Sequence, residues 1–289
     1  MSSVAHLVSL LELFVTEQQL GVREMGRRLS VSKSAAQRLV NELGKADLLT
    51  KDQESGRYRL GLRFIEFGFI VQARSELLDA AASTMRWLAR LSGESVHLGV
   101  LNDLEIVFIA RVEGSRSATP AAHMLRRSEL YTTSLGKAVL AGQPEATVQA
   151  VLERGLRARG PNTITNAADL RRELGLVRRR GFATNLEELV AGLRCVAAPI
   201  RTVAGPAQAG LCVSGPTERM TRTRLEQLAP AVKTAAAQIA EALEGCRATA
   251  GQPRLREPPR WQQGPAAFKA PSRPVIGDDH LDAEGPAPF

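Results

Sequence analysis

The hydrophobic period changes once along this chain, and that change limits the fold more than any other feature. Up to residue 92 apolar side chains recur every three or four positions. Beyond it, stretches such as VHLGVLNDLEIVFIARVEG are alternating or continuous and rich in β-branched residues. The first period requires helices with one buried stripe, the second requires strands. A helical N-terminal part followed by a mixed region around a central sheet makes the fold class α+β.

In the helical part, Val4, Leu7, Val8, Leu11 and Phe14 define one apolar helix face, and Val22, Met25 and Leu29 a second. Ser30-Val31-Ser32 interrupts the pattern, with Ser32 placed as the N-cap of a third helix. That helix carries Ala36, Leu39, Val40 and Leu43 at i, i+3, i+4 and i+7, and Gly44 weakens its end. LLTKD and RYRLG then read as two short strands around the turn 52–56. Residues 61–92 read as a long connecting helix, with Gly68 as the place for a break.

Further on, a strand turn is expected at Asn102-Asp103, and helices through Gly136–Ala141 and Glu145–Arg154. Leu170, Leu174 and Val177 mark a helix stopping at Gly181, where Arg178, Arg179 and Arg180 read as a solvated end favoured by the helix dipole. CVAAPI and AQAGLCVSGP read as strands, and a last helix is expected to end at Gly245. The boundaries that follow are 1–62, a linker helix 63–79, a second domain 80–247 and a tail 248–289. The tail holds eight of the 15 prolines and few aliphatic residues, so it is expected to be disordered.

Composition excludes several classes. The longest apolar runs fall far short of the roughly 20 residues that cross a bilayer, and MSSVAHLVSLLELFV lacks the basic start of a signal peptide. Three cysteines, Cys195, Cys212 and Cys246, suit a reducing compartment, here the cytoplasm, without a disulfide framework. The histidines His6, His97, His123 and His280 are scattered and no CxxC occurs, so neither a metal nor a cofactor is expected. A formal net charge of +8 suits a polyanion or an anionic ligand.

Two short helices around a small-residue turn have the layout of a helix-turn-helix, whose second helix enters the DNA major groove. Ser34, Arg38 and Asn41 lie opposite the apolar stripe with Gln37 beside them, and Ser32 and Lys33 start the helix. Arg and Lys pair with guanine edges, Gln and Asn with adenine, Ser with a base or a phosphate. Lys51, Arg57 and Arg59 on the hairpin are placed to meet phosphates.

GVREMGRRLSVSKSAAQRLVNELGKADLL with GRYRLG resembles the winged helix-turn-helix of IclR-type transcriptional regulators. TTSLGKAVLA, RRRGFATNLEELVAGLRCVAAPI and LCVSGP follow in family order. The resemblance covers about residues 4–247. It implies an N-terminal DNA-binding domain, a linker helix and a C-terminal effector-binding domain of GAF-like α/β fold. It also implies a homodimer or homotetramer on a double-stranded operator, and a repressor or activator answering to an organic acid or aromatic effector. By the same resemblance Ser134, Leu135, Asn185, Cys195, Cys212 and Ser214 line the effector pocket, the backbone amides of the first two facing a ligand oxygen. Two departures matter. Asn185 stands where the family often has Asp and Cys212 where it has Ser, which makes the pocket less acidic. Glu129 and Tyr131 replace a Pro and a His, which implies a different pocket mouth.

Two rival readings are an enzyme acting on a small organic acid in 80–247 and a constitutive architectural DNA binder. The first needs a matched pair of titratable groups, and adjacent Glu187 and Glu188 point different ways with no nucleophile beside them. The second needs no domain of the size of 80–247.

Overall fold

The computed structural model describes residues 3–116 and 127–249. The expected tail from 250 on, His123, His280 and the start of HMLRRSELYTTSLGK lie outside the described residues, as does the Cys246 side chain.

Three helices open the chain: α1 (Ser3–Leu13), α2 (Val22–Arg28) and α3 (Lys33–Lys45). They enclose Leu10, Phe14, Leu20, Met25, Val40 and Leu43. The buried side of α1 is not the whole stripe read from the sequence. Leu7, Leu10 and Phe14 turn inward, while Val4 and Val8 are 68% and 51% exposed. One edge of the apolar face of α1 therefore stays outside the core. Ser32 caps α3 by accepting from Ala35 N at 3.1 Å. Gly26 sits where a Cβ would come within 3.1 Å of the Val31 carbonyl, so α2 and the turn approach each other through it. Strands β1 (Leu49–Lys51) and β2 (Tyr58–Leu60) pair antiparallel as the hairpin.

Two helices follow, α4 (Arg63–Ala73) and α5 (Glu76–Ser92). The break falls at Arg74-Ser75, not at Gly68, which lies inside α4. Ser75 supplies the reason: its side chain accepts from Leu78 N and starts a new helix. One glycine in a helix costs only about 1 kcal/mol, too little to end it. The same holds for Gly245, which α9 (Arg222–Thr249) passes through. Helix α5 also runs across the expected 79/80 boundary, its Ala81, Met85 and Leu88 fully packed into the second domain's core.

Strands β3 (Ser95–Asn102), β4 (Glu105–Val112), β5 (Arg127–Glu129), β6 (Ala183–Leu186), β7 (Leu193–Ile200) and β8 (Ala209–Pro216) form one curled sheet in the order β5-β4-β3-β8-β7-β6. All neighbours are antiparallel. The turn between β3 and β4 is Asp103-Leu104, with Asp103 at φ +57°. Helices α5 and α9 cover one face over Val96, Leu98, Val196, Leu211 and Val213. On the other face lie α6 (Ser134–Leu140), α7 (Glu145–Glu153) and α8 (Ala167–Arg180), over Ile106, Ala183, Ala197 and Cys212. The end of α8 is not merely solvated: Arg178 Nε donates to the Ala141 carbonyl at 2.7 Å, and Arg180 to Phe182 O and Glu173. β5 and β6 carry no pattern long enough to be read from sequence.

Candidate functional site

The third helix presents Ser32, Lys33, Ser34, Arg38 and Asn41 to solvent, with Gln37 half-buried. Ser32 Oγ lies 3.0 Å from Ser34 Oγ, and Gln37 Nε2 donates to Asn41 Oδ1 at 2.9 Å. The amides of Gln37 and Asn41 are thus held together as one unit on the outer surface of α3. Arg59 is exposed on β2. Arg57 is employed differently: its Nη2 donates to the Gln19 carbonyl at 3.0 Å and to Glu24 at 3.1 Å. That ties the hairpin to α2, so in this structure the wing's outward cation is Arg59, with Lys51 exposed on β1.

A second site lies on the face of the sheet roofed by α6. Strand register brings its side chains into two rows. Asn185 pairs with Cys195, Cys195 with Ser214 and Ser214 with Ser95, one line across β6, β7, β8 and β3. Two residues along, Ala197 pairs with Cys212, Cys212 with His97 and His97 with Arg111, reaching β4. Because strand side chains alternate between faces, residues in these two rows point the same way. Above them sit Thr133, Ser134 and Leu135, and a loop carrying Leu189 and Val190. The cavity and the solvent space at its open mouth together amount to about 600 Å³. All six effector residues read from the sequence line it: Ser134, Leu135, Asn185, Cys195, Cys212 and Ser214.

Seven lining residues were missed, and among them His97, Phe108 and Arg111 bring new chemistry. They come from β3 and β4, where the sequence reads as unbroken apolar run and no spacing rule sets an Arg or His apart. His97 stacks edge-on against Phe108, with centroids 5.9 Å apart. Burial, and secondarily the Arg111 cation, lowers the His97 pKa to about 4, so the imidazole is neutral. Burial also pushes the Cys195 thiol well up and Cys212 up to about 12, so both sulfurs stay protonated. Arg111 pairs with Glu113 at 3.1 Å; Arg111 is 10% exposed and Glu113 64%. Glu129 and Tyr131 do not line the cavity but a separate recess with Arg154, Arg157 and Arg159, and the Tyr131 hydroxyl donates to Arg157 O.

Behind the cavity, a buried ion pair holds the roof. Lys137 of α6, almost wholly buried, donates to Glu188 at 2.7 Å and lies 3.6 Å from Glu173. Asn185 Nδ2 donates to Thr132 O at 2.7 Å, and its Oδ1 accepts from Glu188 N at 3.1 Å. Glu187 instead pairs with Arg194 at 3.0 Å, so the adjacent carboxylates do point apart. α6 needs Gly136, whose Cβ would meet Leu130 O at 2.3 Å. Among the described residues no group of three ligating side chains could hold a metal ion.

Residues 70–241 match the family described as bacterial transcriptional regulator IclR C-terminal. The chain belongs to the IclR family. It is a DNA-binding, ligand-responsive transcriptional regulator of that family. IclR relatives include the HTH-type transcriptional regulator KdgR of Escherichia coli K12, 32% identical over 239 residues, which are 82% of this chain and 91% of the relative. The HTH-type transcriptional repressor AllR of the same organism is 30% identical over 223 residues, covering 77% of this chain and 82% of AllR. Among solved IclR structures, that of Thermotoga maritima superposes with a TM-score of 0.69 at 30% identity, over 83% of this chain and 98% of its own. An IclR homolog of Microbacterium hydrocarbonoxydans complexed with 4-hydroxybenzoate gives 0.73 at 27% identity, over 84% and 100%. The winged helix-turn-helix plus GAF-like architecture of these IclR structures is the architecture of this chain. Its relatives bear the names of regulators, not enzymes. No helix among the described residues is long and apolar enough to cross a membrane.

Proposed function

We propose that this regulator represses metabolic genes from a double-stranded operator and releases them when a small organic acid or aromatic compound fills the cavity on the sheet. The observation that carries the reading is the convergence of Ser134, Leu135, Asn185, Cys195, Cys212 and Ser214 on one mostly apolar cavity. An apolar chamber with a few placed polar groups is how small-molecule sites are generally built. Its two thiols are held protonated, which disfavours nucleophilic chemistry and supports a binding role.

On the DNA side the reading assigns base or phosphate contacts to Ser32, Lys33, Ser34, Gln37, Arg38 and Asn41, and phosphate contacts to Arg59. Arg57 acts by holding the wing. Residues 1–62 are the DNA-binding domain, 63–79 a linker and 80–247 the effector domain. The protein works in the cytoplasm as a homodimer or homotetramer. Support comes from α4, in which no residue is buried while Ile65, Phe69 and Val71 are 55%, 63% and 66% exposed. An apolar surface of that extent needs a protein partner, and a second copy joined there would pair the two recognition helices. Coupling has a physical route. β3 and β8 carry His97, Cys212 and Ser214 toward the cavity, and Val96, Leu98, Leu211 and Val213 toward α5 and α9. A ligand that prefers one arrangement of these strands shifts the helices behind them.

Genome-wide mapping of bound DNA tests the reading: discrete sites beside metabolic genes are expected, and their absence would overturn it. Arg38→Ala is expected to weaken operator binding by about 1–3 kcal/mol, selectively for the base it reads. In light scattering, Phe69→Glu is expected to yield a smaller oligomer.

A further inference from the structure

The cavity has two unlike ends. At the α6 end the formal charges are already matched. Lys137 is held by Glu188 and Glu173, and Glu173 also receives Arg180 at 2.8 Å. Asn185 there is locked at both its amide nitrogen and its oxygen. At the β4 end stands Arg111, the one charged side chain among the described residues lining the cavity. Its counter-ion Glu113 is 64% exposed, so water screens that pair. Phe108, Leu135, Val190 and Leu193 complete its apolar lining.

The Arg111 guanidinium lies over β3, since Nη2 is within 3.5 Å of Ser95 Oγ. From β3 to β6 is three strand spacings, roughly 14 Å along a flat sheet and less along a curled one. We propose that the effector lies lengthwise across the strands, its carboxylate on Arg111, its body over Phe108 and Leu135, and a hydrogen-bonding group at Ser134 and Asn185. The ligand class is therefore an aryl or branched-chain monocarboxylate carrying a polar group at the end opposite its carboxylate. A guanidinium matches a carboxylate with two parallel hydrogen bonds, and a nearly buried one does so where little water competes. The neutral His97 beside it adds a hydrogen bond without a second charge. The inference rests on the cavity being the effector site. It makes Arg111 the residue that sets selectivity, and places the anion at the far end from the α6 amides.

Calorimetry on the full chain tests it, with a panel of 4-hydroxybenzoate, 4-hydroxyphenylacetate and 3-hydroxy-3-methylbutyrate, each beside its amide. At least one acid is expected to bind roughly 10- to 100-fold more tightly than its amide, a ratio that Arg111→Gln collapses by weakening the acid alone. Arg111→Lys is expected to keep part of the preference. Glu113→Gln, at an exposed position, is expected to tighten the acid a few-fold by removing a competing carboxylate, and reads the same interaction if Arg111→Gln does not fold. Cys195→Phe, which fills the cavity, is expected to abolish binding of both acid and amide. If Cys195→Phe abolishes binding while the Arg111 and Glu113 variants leave the acid preference untouched, the carboxylate sits elsewhere and this proposal is overturned, with the cavity reading intact. If Cys195→Phe changes nothing, both fall. Failure of the unaltered protein to bind any acid of the panel overturns the proposal as well.

Discussion

The two faces of the six-stranded sheet are built from the same strands and solve different problems. Toward α5 and α9 the strands send Val96, Leu98, Val196, Leu211 and Val213, none above 1% exposed, and the space is filled. Toward α6 the neighbouring residues of the same strands are His97, Cys195, Cys212 and Ser214, and a chamber remains. Alternation along a strand lets one residue serve stability and the next serve binding. The difference teaches that the α5 and α9 face is packed throughout, while the α6 face combines a packed core with a chamber whose rim is held by a few polar anchors.

Breaking either kind of anchor should show the contrast, most strongly at the buried ion pair. Lys137→Ala leaves Glu188 buried without its cation and should cost about 3–5 kcal/mol in urea unfolding. Lys137→Met with Glu188→Gln together should cost much less, because no charge is left stranded. On the filled face, Leu98→Ala should cost about 2–5 kcal/mol, since it opens a void among rigid neighbours.

Acid reads the open face next. The pKa of His97 is lowered from 6.5 to about 4 by folding, so below pH 6.5 the unfolded chain takes up a proton that the folded chain refuses. Stability from this group is complete above pH 6.5 and is lost as pH falls toward 4, by about 3 kcal/mol at most. His97→Phe should flatten that part of the pH-stability curve; an unchanged slope would mean that the imidazole is not sequestered. The smallest effect is expected at Cys212→Ala beside the chamber, less than about 1 kcal/mol, because the atom removed already borders empty space. Equal losses for Leu98→Ala and Cys212→Ala would erase the distinction between the faces.

Much of this was legible along the chain. Ser32 at the cap of α3, the stripe Ala36, Val40 and Leu43, and the stop at Gly181 are local matters, decided within one or two helical turns. The recurring motifs also pointed to six residues of one cavity, since each sits in a segment with its own local signature. Features that depend on who packs against whom were not legible. Val4 and Val8 share the apolar period of Leu7 and Phe14 yet face outward, and Gly68 and Gly245 stay helical where a break or stop is expected. Arg57 and Arg59 look alike in sequence, but only the partner offered by Gln19 and Glu24 separates a strut from a contact residue.

The sequence by itself determined the helices and the longer strands in their order along the chain, because these follow from periodicity, caps and turns that neighbours in the chain impose. Only the tertiary structure decided what stands opposite what. Register across three strands sets Arg111 and His97 beside Cys212 and Ser214, residues a hundred positions apart. No local rule encodes that adjacency, since it arises when antiparallel strands remote in sequence share one ladder of hydrogen bonds.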